Sequence, residues 1–272
     1  MESIISFSES ITTVHKFVWV LACLVFFWTL EVIIPLFKHD YKKLRHDGIN
    51  LVFFLFVMVI NVVVGIITVG VFYWLERSGF GILNWTTLPI WLEFLIAFAA
   101  LDFVSQYSAH YMLHRVKWMW KLHMVHHSDT KVDATTGTRQ HPIEFILRES
   151  FAIATVVIFG MPVAYYLFYR MVTIFFTYWT HSNIQLPNWL DKSLSLIIIT
   201  PNTHKFHHHF ERPWTDTNFG NVLSIWDRIF GTFVYDDPKK IQYGLDVTDA
   251  AKDESVGYQL GLPFNRSIKT DY

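Results

Sequence analysis

Long apolar stretches constrain the fold of this 272-residue chain more than any other feature of its sequence. Three of them, residues 17–37, 50–75 and 88–109, are about as long as a helix needs to be to cross a bilayer. Apolar residues make up 52% of the chain and charged residues only 17%, which favours a membrane protein over a soluble one. We therefore predict an all-α, integral membrane helical bundle that forms a single domain.

The distribution of basic residues predicts the orientation of these spans. Residues 38–47 read KHDYKKLRHD and form a basic loop, whereas residues 76–87 hold one basic residue, Arg77. By the positive-inside rule, the first of these loops is cytoplasmic, and the third span also ends on the cytoplasmic face. Three basic residues that follow it agree with this orientation: Arg115, Lys117 and Lys121. Glu31, inside the first span, is expected near a membrane face or turned towards another helix.

The second half of the chain is predicted to form a cap on the cytoplasmic face. Residues 145–181 are apolar but are broken by Gly-Met-Pro at 160–162, and each limb is short for a complete span. We predict a helical hairpin that enters the membrane and returns. A short interfacial helix at 190–199 opens the remaining part of the cap, residues 190–236, and residues 237–272 are predicted to be a polar tail.

Histidines cluster at the end of the third span and again near residue 205. Residues 110–127 hold five of the chain's 14 histidines, and within each cluster the spacing is three or four residues. Such residues share one face of a helix, so several imidazoles can point at one position, as ligands of a first-row metal do. Interfacial histidines that bind lipid headgroups or cap helices are the alternative. The candidate ligands are His110, His114, His123, His126, His127, His204, His207 and His208, with His181 as a ninth.

Nine candidate ligands are too many for one ion, because a structural zinc takes four. We therefore predict two metal ions at the membrane face. An all-imidazole pair suits iron and oxygen chemistry, although ligand type alone leaves zinc open. The Glu-x-x-His arrangement of di-iron helix bundles is absent from these clusters.

Several other polar residues are candidates for orienting the ligands. Asp102 and Gln106 continue the ridge of His110 and His114 at intervals of four residues. They either hydrogen-bond to those histidines or make helix-packing hydrogen bonds, and the sequence leaves both open. His141 precedes Pro142 and Glu144, a pattern typical of a helix start, and is expected to cap the helix or bond to a ligand. His209 is expected to face solvent or to make a similar bond.

The remaining candidates have simpler expected roles. Asp129 and Asp133 are expected in a solvated loop rather than as bridges between metals, and three histidines are expected at the surface or interface: His15, His39 and His46. Four tryptophans flank the clusters: Trp118, Trp120, Trp179 and Trp189. They are expected mainly in the core and the membrane belt, and lining a substrate tunnel is the alternative for some of them. The single cysteine, Cys23, is expected to serve packing, and it excludes a cysteine-ligated iron–sulfur cluster borne by this chain alone. The net charge of −1 gives no argument for nucleic acid.

The segments HYMLH, HMVHH and HKFHH resemble the fatty acid hydroxylase superfamily, especially its bacterial sterol desaturase-like members. Further similar stretches include LHMVHHSDTKVDATTGTRQHPIE, THSNIQLP and TDTNFGNVLSIWDRIFGT, so the resemblance covers about residues 88–243. It implies a membrane-bound non-haem di-iron enzyme in which the nine histidines hold the iron. Two positions depart from the pattern: His209 replaces a small residue, and Thr177 stands where some relatives carry a further histidine.

The resemblance implies that O2 and two electrons are used to hydroxylate a C–H bond of a lipid, in lipid or sterol metabolism. Desaturation or aldehyde decarbonylation at the same site, and a non-catalytic zinc- or iron-binding membrane protein, are the alternatives. We expect an apolar slot for the lipid. No dinucleotide or haem motif is present, so electrons are expected from an external cytochrome b5-like or ferredoxin-like donor that binds the basic cytoplasmic surface. The expected location is a bacterial inner membrane or the endoplasmic reticulum.

Overall fold

The computed structural model describes residues 10–38 and 43–269. This part of the chain is mostly helical and contains no strands, only two isolated antiparallel bridges, Pro35 with Ile184 and Ile198 with Leu223. The predicted all-α class is therefore confirmed. His39, expected at the surface, lies outside the described residues.

Eleven α-helices are described in this part of the chain. They are α1 Thr13–Ile33, α2 Lys43–Ser78, α3 Ile90–Ala100, α4 Ala109–Arg115, α5 Lys117–His127, α6 Pro142–Phe159, α7 Val163–His181, α8 Asn188–Leu194, α9 Pro201–His207, α10 Ile225–Ile229 and α11 Val256–Gly261. A π-helical segment, Leu101–Ser108, joins α3 to α4 without a break. Short 3-10 segments lie at Ile82–Trp85, Ala134–Thr138, Trp214–Asp216, Pro238–Lys240, Ala250–Lys252 and Leu262–Phe264.

Three helical segments among the described residues are long and apolar enough to cross a membrane: Val14–Ile33, Lys43–Trp85 and Ile90–Arg115. They lie where the sequence predicted spans. The first helix begins earlier than residue 17 because Thr12 caps it, in a reciprocal hydrogen-bond pair with His15, and it ends before Pro35. The second begins at Lys43, so half of the predicted basic loop is helical.

The predicted helical hairpin is present as α6 and α7. His141 caps α6 through its side chain, Pro142 takes the first turn, and Gly160 ends the helix in the left-handed conformation at φ 63°. A Cβ atom at Gly160 would lie 2.3 Å from the Phe80 carbonyl oxygen, so only glycine lets the hairpin turn approach the end of α2. The membrane insertion of this hairpin stays a prediction.

Residues 237–269 do not form the polar tail that the sequence predicted. Leu262 is 2% exposed and packs with Trp120 and Met124 of α5, and Gln259 is fully buried. The segment is polar on average because its apolar residues are few and widely spaced. Those few residues nevertheless pack against α5. The packing role expected of Cys23 is confirmed, because it is buried against Phe27.

The loop after α5 is buried, which contradicts the expectation of a solvated loop. Asp129 and Asp133 are 0% exposed, and so is His46, which was expected at the surface. Lys43 Nζ lies 2.6 Å from Asp133, and His46 Nε2 lies 3.5 Å from Asp129. Glu31 accepts hydrogen bonds from backbone nitrogens of this loop and of the segment after α7. Polar sequence alone cannot distinguish such a buried, paired network from an exposed loop.

Candidate metal centre

All nine predicted histidines converge, and they do so in two adjacent groups. In each group the candidate ligand atoms lie within 4.8 Å of one another, and every ring is buried. The first group contains His110, His114, His123, His127 and His207. The second contains His126, His181, His204 and His208.

The histidine spacing explains why α5 and the end of α9 each serve both groups. Successive residues of a helix are rotated by about 100°, so the neighbours His126 and His127 leave α5 in different directions. His127 joins His123, four residues earlier, in the first group, whereas His126 turns to the second. The end of α9 repeats the pattern, with His207 in the first group and His208 in the second.

Hydrogen bonds fix the orientation of five of these rings through Nδ1. Each Nδ1–H donates to an oxygen atom over 2.7–3.1 Å, which leaves Nε2 as an unprotonated donor of a lone pair to a metal. Four of the accepting atoms are backbone carbonyl oxygens and one is a carboxylate. The pairs are His110 with Phe219, His126 with Arg139, His181 with Thr177, His207 with Thr217, and His123 with Glu144.

The Nε2 atoms face one another at distances that a shared ion explains. His110 and His123 approach to 3.0 Å through Nε2, and so do His126 and His181. Because both rings of each pair donate Nδ1–H elsewhere, no proton is left to join the two Nε2 atoms. Two imidazole nitrogens bound at about 2.0–2.1 Å to one ion lie about 2.9–3.4 Å apart, so these residues fit a metal.

Burial keeps the histidines of the cap neutral and able to bind a metal. Among the described residues, neither ring nitrogen of His208 has a hydrogen-bond partner, nor does Nε2 of His207. Burial lowers the pKa of His127 and of His208 well below 6.5, and the charge of neighbouring imidazoles lowers it further. Neutral rings with unused nitrogens are the form that metals bind.

A hydrogen-bonded loop after α9 carries two of the accepting carbonyl groups, those of Thr217 and Phe219. Asp227 accepts from the backbone nitrogens of Phe219 and Gly220 at 2.8 and 2.9 Å. Asn218, at φ 51°, donates from Nδ2 to the carbonyl oxygen of Thr203 at 2.7 Å. These bonds hold the carbonyl of Phe219 against His110. Burial raises the pKa of Asp227 to about 6.

The other predicted site residues make different contacts. Asp102 contacts none of the nine histidines and accepts from the Tyr169 hydroxyl and the Trp226 indole at 2.8 Å, which favours the helix-packing alternative. Gln106 lines the cavity beside the histidines. Thr177 contributes its carbonyl oxygen to His181 rather than its side chain.

Two candidate histidines lie outside both groups. His141 Nδ1 accepts from the backbone nitrogen of Ile143 at 3.2 Å, which is the capping role that the sequence predicted. His209 is 7% exposed, and its Nδ1 accepts from the backbone nitrogen of Glu211 at 3.1 Å. It is therefore neither in solvent nor bonded to a candidate ligand.

Sequence reasoning missed two carboxylates that contact candidate ligands. Glu144 was interpreted only as an acid in the first turn of a helix, but its Oε1 accepts from His123 Nδ1 at 2.8 Å. Asp216 lies 3.4 Å from His114 Nδ1, and its other oxygen lies 3.3 Å from Arg115. The regular spacing of the histidines gives no signal for either, because both contacts depend on tertiary packing.

A cavity of about 230 Å³ reaches both groups of histidines. Val20 of α1 and Phe54 of α2 contribute to one wall, and α6 and α7 contribute to another. Arg148, Glu149 and Arg170 also line it, so the slot that we expected to be apolar carries charged side chains as well. None of the four tryptophans near the histidines is among its lining residues.

The chain is similar to several proteins whose names describe lipid monooxygenases or hydroxylases. It is 32% identical over 163 residues to alkylglycerol monooxygenase of Homo sapiens, covering 60% of this chain and 34% of that protein. It is 27% identical over 178 residues to an ornithine lipid hydroxylase of Rhizobium tropici, covering 65% and 52%. It is 32% identical over 159 residues to methylsterol monooxygenase 1 of Danio rerio, covering 55% and 50%. The chain thus matches between a third and about half of the length of these relatives.

No solved structure matches the chain. The model of the fatty acid hydroxylase family matches residues 94–232, just over half of the chain, and this range contains all nine histidines of the two groups. The resemblance found in the three histidine motifs is therefore confirmed, and the chain belongs to the fatty acid hydroxylase family.

Proposed function

We propose that this protein is a membrane-bound monooxygenase that uses O2 and two electrons to hydroxylate a C–H bond of a lipid at two iron ions. The observation that carries the proposal is the convergence of nine buried imidazoles in two groups. Similarity to proteins named as lipid monooxygenases and hydroxylases supports the reaction class.

The first group would hold one iron through five imidazoles and the second group the other through four. Iron bound there would supply O2 activation and two-electron oxidising power, which no side chain of this protein offers. The chain's own contribution is orientation: the carbonyl oxygens of Thr177 and Phe219 and the carboxylate of Glu144 hold their rings by Nδ1.

The cavity beside the histidines would receive the lipid. It lies between helices of the bundle and is lined by His126 and His181, so a bound alkyl chain would lie beside the candidate ligands and exclude water from them. Burial of the chain would supply affinity at about 0.8 kcal/mol per CH2 group. Positioning of one carbon near the second group would then select the bond that is oxidised.

Electrons would come from an acidic cytochrome b5-like or ferredoxin-like protein on the cytoplasmic side. Lys117 is exposed and Lys121 is partly exposed on α5, the helix that also carries three of the buried histidines. Arg115 is available only in part, because Asp216 lies 3.3 Å from it. The cytoplasmic location is inferred from the positive-inside rule.

Metal analysis and lipid analysis test the proposal together. Purified wild-type protein should contain about two irons per chain, and cells that express it should contain an oxygenated lipid. His126→Ala should remove that lipid and lower the iron content, whereas the exposed His15→Ala serves as the matched control and should change neither.

The products also separate the alternatives at this site. An unsaturated product would indicate desaturation, and a shortened hydrocarbon would indicate decarbonylation. A single exchangeable zinc with identical lipid profiles in all strains would instead contradict catalysis and favour a metal-binding protein.

A further inference from the structure

The cavity wall formed by the α6–α7 hairpin is charged. Glu144, Arg148 and Glu149 of α6 line the cavity together with Arg170 of α7. A pocket that binds only hydrocarbon is lined by apolar side chains, so two arginines in its wall need another explanation. Ionisable groups within a membrane bundle commonly line the path of a substrate or ion. These charged residues are therefore candidates for selecting the lipid by its polar group.

Arg148 presents unused hydrogen-bond donors to this cavity. Its Nε donates to Glu144 at 2.9 Å, and this is the one hydrogen bond of its guanidinium among the described residues. The side chain is 20% exposed, and its two terminal nitrogens have no protein acceptor in the same part of the chain. Arg148 lies one helical turn beyond Glu144, about 6 Å further along α6 from the start of the helix.

The other charges near Arg148 are already engaged. Glu144 is shared between Arg148 and His123, and Glu149 accepts from Arg170 at 2.7 Å and from the Tyr166 hydroxyl at 3.4 Å. The nine candidate ligands are neutral imidazoles, so they would not offset the charge of bound metal ions. A metal-loaded cavity would therefore carry excess positive charge and favour an anion.

We propose that the cavity recognises its lipid by a carboxylate or phosphate group bound to the terminal nitrogens of Arg148. The planar guanidinium presents two parallel donors that match either anion. Arg148 and the Arg170–Glu149 pair lie along the same cavity as His126 and His181, so the oxidised carbon lies near the anionic group rather than at the far end of the alkyl chain. This inference rests on the proposed function, because it takes the cavity as the substrate site.

Binding of three probes with sixteen-carbon chains tests the inference without measuring turnover. The probes are hexadecanoic acid, hexadecyl phosphate and neutral methyl hexadecanoate, counted per folded chain by native mass spectrometry in a neutral detergent. We expect wild-type protein to bind at least one anionic probe about tenfold more tightly than the neutral ester, since hydrogen bonds between charged groups are the strong ones. The stronger of the two anionic probes identifies the carboxylate or the phosphate as the recognised group.

Arg148→Gln should abolish this preference while leaving the affinity for methyl hexadecanoate unchanged. The matched control is Arg77→Gln, at an exposed position outside the cavity, which should keep the wild-type preference. If Arg148→Gln fails to fold, the double variant Glu144→Gln/Arg148→Gln replaces both charges by amides and should also lack the preference.

The metal content of the same samples distinguishes the two proposals. Equal binding of all three probes to wild-type protein, or an unchanged preference in the Arg148 variants, overturns the inference about the anionic group. If the wild-type protein in that experiment still contains two irons per chain, the proposed function stands. Wild-type protein without iron contradicts the proposed function instead, whatever the probes show.

Discussion

At the scale of single residues, five of the nine candidate ligands are oriented by a hydrogen bond from Nδ1 to an oxygen atom. Among the described residues, Glu144 is the one carboxylate within 3 Å of a candidate ligand nitrogen, and it is 1% exposed. An ionised acceptor at Nδ1 makes Nε2 of His123 more basic and fixes the rotation of its ring. The four backbone carbonyl acceptors cannot be removed by substitution, so Glu144 is the position where this support can be tested.

We predict that Glu144→Ala lowers metal affinity about 10–100-fold, the usual effect of losing such a support. Glu144→Gln should lower it less, because its amide oxygen can still accept from His123. Competition between the protein and a chelator measures both affinities. Glu76→Ala, at an exposed position at the end of α2, is the control, and equal affinities in all three variants would refute the supporting role of Glu144.

Two neighbouring histidines provide a second test at this scale. His208 belongs to the second group, and its ring nitrogens have no hydrogen-bond partner among the described residues, whereas the His209 ring contacts the backbone after α9. We predict that His208→Ala loses about one of the two metals per chain and that His209→Ala keeps both. Elemental analysis of the purified variants decides, and retention of both metals by His208→Ala would show that its ring is not a ligand.

The sequence predicted the histidines that converge but not the residues that orient them, and the reason is physical. Histidines three or four residues apart on one helix share a face whatever surrounds the helix, so spacing alone identified His123, His126 and His127. The contact of Glu144 with His123 spans 21 residues, and Arg148 lines the cavity only because of how α6 packs against the rest of the bundle. Such contacts leave no periodic signal in a single sequence.

At the scale of elements, the third span is held to the cap by one buried carboxylate in its π-helical segment. Asp102 is 1% exposed and accepts from Tyr169 of the hairpin, from Trp226 of α10 and from the backbone nitrogen of Leu223. A π-helical segment shifts the residues that follow it around the helix axis. Asp102 therefore fixes the position of the helix that carries His110 a little more than two turns later.

We predict that Asp102→Ala destabilises the protein, because each of the three donors left unsatisfied costs about 1–3 kcal/mol. Asp102→Asn should destabilise less, since its amide oxygen still accepts. Thermal unfolding in detergent measures the loss as a lower Tm, with Asp246→Ala at an exposed position as control. Because Asp102 contacts no candidate ligand, the folded fraction of Asp102→Asn should keep its metals, and metal loss without a lower Tm would contradict the packing role.

At the scale of the whole molecule, parts of the chain that are distant in sequence meet on one side of the bundle. Lys43 at the start of α2 lies 2.6 Å from Asp133 in the loop after α5, so the beginning of the second span lies on the same side as the histidines. The hairpin returns His181 to that side. The sequence predicted this convergence from the number of spans, but it missed the burial of the loop and of the C-terminal segment, because polar composition does not report pairing.

The orientation of this assembly in the membrane is testable with the chain's single cysteine removed. Most basic residues near the span ends, including Lys43, Arg45 and Lys117, lie on the side of the histidines, and Arg77 is on the other. We predict that this side faces the cytoplasm. In a Cys23→Ala background, Ala250→Cys and Ser78→Cys place one exposed thiol on each side without changing the charge.

A membrane-impermeant maleimide applied to intact cells should label Ser78→Cys and should label Ala250→Cys only after the cells are permeabilised. For expression in an organelle membrane, sealed vesicles with the cytoplasmic face outward should give the reverse pattern. The two thiols lie on opposite sides of the membrane but are both exposed. Labelling of both in permeabilised samples is therefore the internal control for their reactivity. Labelling of Ala250→Cys in intact cells would place the histidines on the outer face, where a cytoplasmic electron donor has no access to them.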